Sequence, residues 1–385
     1  MRVLQISNYY FPHTGGIEQV CRNIVNSLKD TEIEQKVICF NEDADRDGLN
    51  CKRGETTVNI VDGVEIHRCG CVAKIASQSI SLTYLNELRS LINVFNPDII
   101  IFHYPNPFVA SFLLPLIKEN VKFILFWTLD IVKQKGLRLF FHEQNIKLLE
   151  RADLVVASSP NYIEGSKYLF RYKNKCTVIP NCISSDYDDV SNYSIDRAKR
   201  IRNEYKDKCI CFTVGRHIPY KGFEYLIDSA RYLDDQYVIL IGGKGPLTEN
   251  LQERSSELKN VRFLGFLPDK DLKAFYMASD IITFSSITKN EAFGLSLAEG
   301  MYFGKPAVTF TIPGSGVNYV SLNGVTGLEV PNKNSKAYAE AIKKLHNNIE
   351  IYNRYSVNAK QRVNDLFTFD SFRNNILNMI DSLQK

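Results

Sequence analysis

The chain has 385 residues, which is enough for two domains of ordinary size. Its 44% apolar and 23% charged content is typical of a globular protein, and its net charge of +4 gives no reason to expect a nucleic-acid partner. No apolar run approaches the roughly 20 residues of a membrane-spanning helix, and the first residues lack the pattern of a signal peptide.

The first part of the chain alternates short apolar strands with helices. In chain order we predict strands at RVLQIS, EQKVICF, GVEIHRC, DIIIFHY, VKFILFW and ADLVVASS, and helices at GGIEQVCRNIVNSLKD and SLTYLNELRSLINVF. Because continuous apolar strands are buried on both faces, they indicate a parallel sheet that helices cover on either side.

The alternation resumes after residue 205, beyond a polar stretch at 181–200 that we interpret as a linker. The predicted strands are CICFTVG, YVILIGG, VRFLGFL, DIITFSS, PAVTF and TGLEV, and GFEYLIDSARYL and DLKAFYMA are predicted helices. The sequence therefore predicts an α/β protein with two doubly wound, Rossmann-like domains that face each other across a cleft, over residues 1–190 and 191–365. A last helix, FDSFRNNILNMIDSLQ, follows the second sheet.

Ligands of open α/β sheets bind beyond the carboxyl ends of the strands, and several of these ends carry unusual chemistry. Gly15 and Gly16 open the first helix, where free N–H groups attract an anion, although a plain tight turn remains an alternative. Arg216 and Lys221 follow a strand in GRHIPYKG and suit a diphosphate; two solvated surface charges are the other interpretation. Gly243, in GGKGPL, fits either a close ligand approach or a flexible turn.

The stretch NEAFGLSLAEG carries two glutamates, Glu291 and Glu299, around a glycine and an apolar run. We predict that a helix begins near Gly294 and offers the N–H groups of Phe293, Gly294 and Leu295 to a phosphate. Glu299 then lies about one turn into the helix and faces ribose, and Glu291 lies nearer the sugar. A glycosidase pair of carboxylates is less consistent with these cations and N–H groups, which favour a phosphorylated leaving group.

The stretches TGGIEQV, GRHIPYKG, GGKGPL, FLGFLP and EAFGLSLAEG occur in the order found in one family. Over nearly its whole length the chain resembles a retaining glycosyltransferase of the GT-B fold, of the glycosyltransferase family 4 type (glycosyl transferases group 1). The spacing of Glu291 and Glu299 resembles the E-x7-E pattern of this family, and the match is specific, especially in combination with Arg216 and Lys221.

The resemblance implies a role for each donor-side residue. Glu291 would contact donor-sugar hydroxyls and Glu299 the ribose, while Arg216 and Lys221 would hold the diphosphate with help from Gly16. The backbone near Gly243 and around Phe266 would border the base, and the helix within residues 366–385 would cross back to the first domain, which binds the acceptor.

The acceptor-side motif departs from a common subgroup of the family. That subgroup has a His-Ser-Asp run before IVKQKG, whereas this chain has TLDIVKQKG, so Asp130 is kept and Thr128 replaces the histidine. Asp130 joins Arg216, Lys221 and Glu291 as a candidate catalytic residue. His103 and Asn106 resemble another stretch that lines the cleft, and a core histidine is the alternative for His103.

The expected function is transfer of a sugar, with retention, from a UDP- or GDP-linked donor to a carbohydrate or lipid-linked acceptor in bacterial surface-polysaccharide assembly. We expect no cofactor and no metal, and we interpret the acidic run DADRD (43–47) as solvated. Two alternatives stay open: a non-catalytic sugar-nucleotide-binding protein, suggested by Thr128, and a GT-B enzyme of another class such as a sugar-nucleotide epimerase.

The expected location is the cytoplasm, with peripheral contact to an anionic membrane. The nine cysteines lack zinc-site spacing and predict reduced, buried thiols, which are typical of that compartment. The membrane contact rests on a segment that combines basic and apolar residues: Lys133, Lys135, Leu137, Arg138, Leu139, Phe140 and Phe141. The alternative is a helix that packs its apolar face inward.

Overall fold

The computed structural model describes residues 1–13, 15–75, 78–130 and 138–383 and divides the chain into two compact units. The first unit comprises Met1–Ser158, Ser166–Ile179 and Phe372–Lys385, and the second comprises Ser159–Gly165 and Pro180–Ser371. The division at 179/180 lies before the boundary at 190/191 that the sequence suggested. The physical reason is that the segment after Pro180 packs with the second unit, where the Ile183 N–H donates to the Phe367 carbonyl (2.8 Å).

The first unit contains twelve of the described strands. They are β1 Arg2–Ile6, β2 Glu34–Asn41, β3 Ala44–Arg46, β4 Leu49–Cys51, β5 Thr57–Val61, β6 Val64–Gly70, β7 Ala73–Ile75, β8 Gln78–Ile80, β9 Ile99–Tyr104, β10 Lys122–Trp127, β11 Leu154–Ala157 and β12 Cys176–Val178. Eight of them form one sheet in the order β12-β11-β10-β9-β1-β2-β6-β5, in which only β5 runs antiparallel to its neighbour. Every residue of β9 is buried, which explains its continuous apolar sequence.

Helices connect these strands. They are α1 Gly16–Ser27, α2 Tyr84–Ser90 with a π-helical continuation at Leu91–Phe95, α3 Pro107–Leu113 with a 3₁₀ turn at Leu114–Leu116, α4 Arg138–Arg151 and a 3₁₀ segment at Leu169–Lys175. Helix α5, Pro160–Gly165, lies between β11 and β12 in the chain but belongs to the second unit, as does the 3₁₀ segment at Ser185–Asp188. The hairpins β3–β4 and β7–β8 were not predicted, because short exposed strands carry little apolar periodicity. The DADRD run therefore lies in the β3–β4 hairpin instead of a plain loop, and Asp43, Asp45 and Asp47 are exposed.

The second unit has a six-stranded, fully parallel sheet in the order β15-β14-β13-β16-β17-β18. The strands are β13 Cys209–Val214, β14 Tyr237–Gly242, β15 Val261–Gly265, β16 Ile281–Phe284, β17 Ala307–Phe310 and β18 Gly327–Val330. The helices are α6 Asn192–Glu204, α7 Phe223–Ser229, α8 Thr248–Arg254, α9 Asp269–Ala278, α10 Leu295–Tyr302, α11 Val317–Val320, α12 Ser335–Asn347, α13 Ile349–Leu366 and α14 Phe369–Ser382, with 3₁₀ turns at Pro219–Lys221 and Ala230–Tyr232. The prediction of two α/β units with parallel sheets is confirmed.

The predicted linker at 181–200 is wrong in its second half, because α6 begins at Asn192. The side chain of Ser191 caps this helix by accepting the Ser194 N–H (3.2 Å), and the helix buries Ala198 and Ile201. The buried face of α6 consists of Ser194, Ala198 and Ile201, only one of which is a large apolar residue, so the apolar periodicity of this segment is weak in the sequence. The last helix starts in the second unit, and from Phe372 onward it belongs to the first, where Arg373 donates to the Ser27 carbonyl (3.2 Å).

Candidate active site

The order of strands in the second sheet reverses between β13 and β16, and such a switch point is where ligands of α/β sheets bind. The loops that follow these two strands are fastened to each other. The Ile287 N–H donates to the Tyr220 carbonyl and the Ser285 hydroxyl donates to the Lys221 carbonyl, each at 2.9 Å. Between them Gly222 has φ +61°, and a Cβ there would lie 2.3 Å from the Ser285 carbonyl oxygen. Only glycine therefore permits this loop contact.

Lys221 and Glu291 form an ion pair at this point. Lys221 Nζ lies 2.5 Å from Glu291 Oε2, and the two side chains are only 15% and 12% exposed. The Ser286 hydroxyl donates to the same carboxylate oxygen at 2.9 Å. Burial, the largest single influence, lowers the pKa of Lys221, but the charge and hydrogen bond of Glu291 together with the charge of Tyr220 outweigh it, and the pKa is raised. The site therefore holds the Lys221 ammonium group against a carboxyl group that Ser286 also holds in place.

Arg216 lies on the same loop and is exposed. In the part of the chain that the structure describes, no carboxylate forms a salt bridge with its guanidinium. The neighbouring backbone is held by the Gly215 N–H, which donates to the Gly242 carbonyl at 3.2 Å. Arg216 is thus a solvated cation on an anchored loop, close in sequence to the paired cation Lys221.

The loops after β13 and β14 pack backbone against backbone. Gly243 has φ +103°, and a Cβ there would lie 2.0 Å from the Gly215 carbonyl oxygen. Its N–H donates to the Gly265 carbonyl at 2.7 Å, and the His217 N–H donates to the Lys244 carbonyl at 3.1 Å. The close approach at Gly243 is therefore between two loops of the protein. A flexible turn, the alternative left open by the sequence, does not describe this arrangement.

Phe266 follows β15 and is 73% exposed. It comes directly after Gly265, which accepts the hydrogen bond from Gly243. β15 is an edge strand in which only Val261 is buried, and the exposed face of Phe266 beyond it is available for stacking against a planar ligand.

Helix α10 begins where the sequence predicted. Gly294 is the N-cap residue with φ +100°, and Leu295 is the first helical residue. The N–H groups at the start of a helix have no intrahelical acceptor. The Phe293 side chain is buried and its ring packs edge-on against Phe367, with centroids 5.2 Å apart, so Phe293 offers only its backbone to a ligand.

Glu299 lies in the second turn of α10 and is half-buried. The hydroxyl of Tyr276, a residue of α9 that is 1% exposed, donates to Glu299 Oε2 at 2.8 Å. This donor was not predicted, because it comes from a different helix and no sequence motif connects the two residues. Ser286, which donates to Glu291, was not predicted either: it lies on the same loop, five residues before Glu291, and a serine there carries no distinctive chemistry.

Gly15 and Gly16 lie in the first unit, at the start of α1. Gly15 is the N-cap residue, and a Cβ there would lie 2.2 Å from Oε2 of Glu18. The Glu18 carboxyl group therefore folds back over the beginning of its own helix, and burial raises its pKa. No motif in the sequence marks Glu18 as a residue of this site. A Cβ on Gly16 would meet open space.

Asp130 and Thr128 follow β10 in the first unit. Asp130 is 5% exposed, and its Oδ1 accepts hydrogen bonds from Trp127 Nε1 (3.0 Å) and from the Ser166 hydroxyl (2.8 Å). Thr128 is half-buried, and its N–H donates to the Tyr104 carbonyl at 3.0 Å. Asp130 is thus a carboxyl group oriented by two donors at the carboxyl end of a strand.

His103 and Asn106 are both fully buried in the first unit. The His103 Nε2–H donates to Gln5 Oε1 (2.9 Å), and burial lowers the pKa of His103 to about 3, so the ring is neutral. The Asn106 side chain caps α3 by accepting the Val109 N–H (3.3 Å). The structure supports the alternative interpretation of His103 as a core histidine. Asn106 serves as the N-cap of α3.

Comparisons with known proteins now decide the family. The model for Glycosyltransferase Family 4 matches residues 14–187, and the model for Glycosyl transferases group 1 matches residues 194–362. The O-antigen chain mannosyltransferase C of Escherichia coli is 31% identical over 100% of this chain and 99% of its own length. The D-rhamnosyltransferase WbpZ of Pseudomonas aeruginosa is also 31% identical, over 96% and 92%. The chain belongs to the family 4 glycosyltransferases.

The fold of this glycosyltransferase is GT-B. The crystal structure of Anabaena Alr3699/HepE in complex with UDP and glucose matches it with a TM-score of 0.74 and 17% identity, over 99% of this chain and 100% of that one. The family and the fold class that the motifs implied are therefore confirmed.

Several expectations for the glycosyltransferase concern metals, membranes and thiols. Within the described ranges, no group of three or more His, Cys, Asp or Glu residues is arranged to hold a metal ion. No helix in the described parts combines the length and hydropathy of a membrane span. None of the nine cysteines, all of which lie in the described ranges, forms a disulfide; eight of them are buried and Cys176 is partly exposed.

The structure describes only part of the segment that was expected to contact a membrane. Lys133, Lys135 and Leu137 lie outside the described residues. Phe141, in α4, is 8% exposed, so this ring packs inward as the alternative interpretation holds.

Proposed function

We propose that this glycosyltransferase moves a sugar from a UDP- or GDP-linked donor to a carbohydrate or lipid-linked acceptor, with retention at the anomeric carbon, in bacterial surface-polysaccharide assembly. The observation that carries the proposal is the Lys221–Glu291 pair at the switch point of the second sheet, with an exposed Arg216 on the loop of Lys221 and α10 starting shortly after Glu291 in the chain. This combination supplies positive charge for a diphosphate and a carboxylate for sugar hydroxyls.

The names of the two relatives support a particular sugar configuration. One transfers mannose and the other D-rhamnose, and D-rhamnose is the 6-deoxy form of D-mannose. The two sugars therefore share the arrangement of hydroxyl groups at C2, C3 and C4. We propose a donor sugar of this D-manno configuration, whose ring hydroxyls would be read by Glu291.

In the proposed reaction the bond between C1 of the sugar and the diphosphate breaks, and a bond from C1 to the acceptor oxygen forms on the same face. Arg216, Lys221 and the N–H groups at the start of α10 neutralise the charge that develops on the leaving diphosphate. The proton of the acceptor hydroxyl goes to the leaving phosphate or to a carboxylate of the enzyme. Asp130, oriented by Trp127 and Ser166, would orient the acceptor or stabilise positive charge on the sugar.

The donor-binding groups are protein groups, so we propose that the transfer needs no metal ion. The test is activity after EDTA treatment. Most activity should remain, and a loss that Mg²⁺ or Mn²⁺ restores would contradict the assignment of charge neutralisation to Arg216 and Lys221.

The proposed donor site is tested first by thermal shift with UDP- and GDP-linked sugars, and then by nucleotide release in the presence of acceptor. Arg216→Ala should lower kcat/KM at least ~10-fold, because it removes a charge-assisted hydrogen bond. Lys259→Ala is the matched control. Lys259 is an exposed cation that lies just before the amino end of β15, whereas Arg216 follows the carboxyl end of β13 in the same sheet. Equal activity of both variants would contradict the donor site.

The alternatives give different results in the same assay. A non-catalytic binding protein, which Thr128 suggested, would bind the nucleotide sugar without releasing nucleotide when acceptor is added. An epimerase would convert the donor into a different sugar nucleotide, which chromatography detects. Thr128→His should be tolerated by a transferase of this family.

We also propose a cytoplasmic enzyme that contacts anionic membranes through the basic residues Lys133, Lys135 and Arg138. Sedimentation with anionic and with neutral vesicles tests this contact. Equal and negligible binding to both kinds of vesicle would contradict it.

A further inference from the structure

Each glutamate of the E-x7-E pattern is held by a hydroxyl group from outside helix α10. The Ser286 hydroxyl, on the loop after β16, donates to Glu291 Oε2 at 2.9 Å. The Tyr276 hydroxyl, on α9, donates to Glu299 Oε2 at 2.8 Å. Both donor residues are 1% exposed, whereas both glutamates are partly exposed. The donors are therefore shielded from solvent, and the carboxylates are the groups that solvent or a ligand can reach.

One fixed donor changes what a glutamate can do. A carboxylate has about four lone-pair sites, so it can accept one protein hydrogen bond and still accept others from ligand hydroxyls. A free glutamate samples several rotamers, and fixing it on binding costs free energy that the ligand must supply. A donor inside the protein fixes the carboxylate in advance, and the ligand then meets an oriented acceptor.

The two donors are anchored in different ways. Tyr276 is packed among aromatic rings, with Phe212 at 5.2 Å edge-on and Phe303 at 6.1 Å stacked, and its hydroxyl also lies 3.1 Å from the Ser296 carbonyl oxygen. Burial and the charge of Glu299 raise the pKa of Tyr276 well above its ordinary value, so the hydroxyl keeps its proton. Tyr276 is thus a rigid donor to Glu299.

Ser286 acts on a carboxylate that has a second partner. Glu291 Oε2 accepts from both Ser286 and Lys221, and the loop of Glu291 is also held by the Ser315 hydroxyl, which donates to the Glu291 carbonyl at 2.5 Å. Ser286 therefore fixes the direction of a carboxylate that is already paired with the cation of the site.

We propose that Ser286 and Tyr276 are positioning residues with separate tasks: Ser286 sets recognition of the donor sugar through Glu291, and Tyr276 sets recognition of the ribose through Glu299. This inference rests on the proposed function, in which Glu291 faces the sugar and Glu299 the ribose. It predicts that Tyr276→Phe affects recognition of the nucleoside half of the donor and that Ser286→Ala affects recognition of the sugar half.

The experiment measures the affinity of the whole protein for GDP and UDP and for their 2′,3′-dideoxy forms by calorimetry. Tyr276→Phe should weaken binding of the ribose form about fivefold to tenfold and leave the dideoxy form within twofold, because only the first presents hydroxyls to Glu299. Ser286→Ala should leave all these affinities within twofold and lower kcat/KM for the sugar nucleotide about tenfold.

Two controls separate positioning from loss of stability. Tyr338→Phe also removes a fully buried hydroxyl, one that donates to the Val308 carbonyl (2.6 Å), and should leave the ribose preference unchanged even if it lowers Tm. In a Glu299→Ala protein, adding Tyr276→Phe should change the ribose preference no further, because the group that Tyr276 orients is no longer present.

Different results would contradict the proposed function and the separate tasks of Ser286 and Tyr276. If the wild-type protein binds neither GDP nor UDP, the proposed function fails and this inference fails with it. If it binds them, but Tyr276→Phe weakens the ribose and dideoxy forms equally, or Ser286→Ala alters the ribose preference, the separation of tasks is wrong while the proposed function stands.

Discussion

Replacing Lys221 by alanine should have two separate effects, one on the donor and one on the folded protein. Lys221 Nζ lies 2.5 Å from Glu291 Oε2 in a setting where both side chains are largely buried. Lys221→Ala therefore removes a cation from the proposed diphosphate site and also leaves Glu291 without its counter-ion. The GRHIPYKG motif considered alone predicts only the first effect, with little change to the folded state.

The size of the second effect follows from the burial of the pair. Removing one partner of a fully buried ion pair costs about 3–5 kcal/mol, and an exposed pair contributes about 0–1 kcal/mol. Lys221 and Glu291 retain 15% and 12% exposure, and Ser286 still donates to Glu291, so we expect a loss of about 2 kcal/mol in the free energy of unfolding. For a domain of this size the loss lowers Tm by about 4–8 °C.

The assay combines urea or thermal unfolding with turnover for a set of variants. Lys221→Ala should lower both stability and kcat/KM, the latter at least ~10-fold. Adding Glu291→Gln should restore much of the stability, because the stranded carboxylate is gone, while activity stays low. Arg216→Ala is the matched comparison: it should lower kcat/KM at least ~10-fold and change stability by no more than about 0.5 kcal/mol, because Arg216 is exposed.

Two results would refute this reasoning. If Lys221→Ala unfolds like the wild type, and Glu291→Gln shows no coupling to it, the ion pair contributes nothing in solution. If Lys221→Ala and Arg216→Ala both keep wild-type turnover, these cations do not hold the donor diphosphate.

Three further predictions concern other parts of the molecule. Asp130→Asn keeps the oxygen that accepts from its two donors and removes the charge, so kcat should fall by about 10²-fold or more while Tm and donor affinity stay near wild type; an unchanged kcat would assign Asp130 a structural role only. Gly243→Ala places a Cβ 2.0 Å from a backbone oxygen at φ +103° and should cost more than about 3 kcal/mol in urea unfolding, whereas Gly324→Ala, at φ +74° with its nearest atom 3.9 Å away, should cost only about 1–2 kcal/mol. The pKa of His103 is about 3 when folded and about 6.5 when unfolded, so between these values the unfolded state binds more protons and stability falls as pH falls. From pH 7 to pH 5 the wild type should therefore lose about 2 kcal/mol more stability than His103→Gln, and parallel pH profiles would contradict the buried, neutral ring.

The fold was predictable because its strands are buried on both faces. Strands such as β9 and β14 appear in the sequence as continuous apolar runs, and the alternation with helices then leaves few arrangements other than parallel sheets. The start of α10 was predictable as well, because a glycine before an apolar run marks a boundary where the backbone takes a positive φ, and Gly294 has φ +100°. The helix α6 and the two short hairpins were missed, because their apolar patterns are weak.

The candidate site was predictable only in its charged residues. Arg216, Lys221, Glu291 and Glu299 stand out by residue type and spacing, but nothing in the sequence pairs Lys221 with Glu291 across seventy positions. The hydroxyls that hold the glutamates belong to chemically ordinary residues, Tyr276 on another helix and Ser286 five residues before Glu291 on the same loop. Such contacts arise from tertiary packing, so a motif can name the charged groups of a site but not the groups that orient them.

The most direct test of the central claim is the transfer of a radiolabelled sugar. Donors are GDP- and UDP-linked hexoses, with GDP-mannose first among them, and the acceptor is the lipid-linked saccharide fraction of the cells that carry this chain. The account predicts that label enters the saccharide with release of one nucleoside diphosphate per sugar, that the new linkage keeps the donor's anomeric configuration by NMR, and that Arg216→Ala loses most of the transfer. Tight nucleotide binding without any transfer from any donor would contradict the claim that this protein is a catalyst, and an inverted linkage would contradict retention.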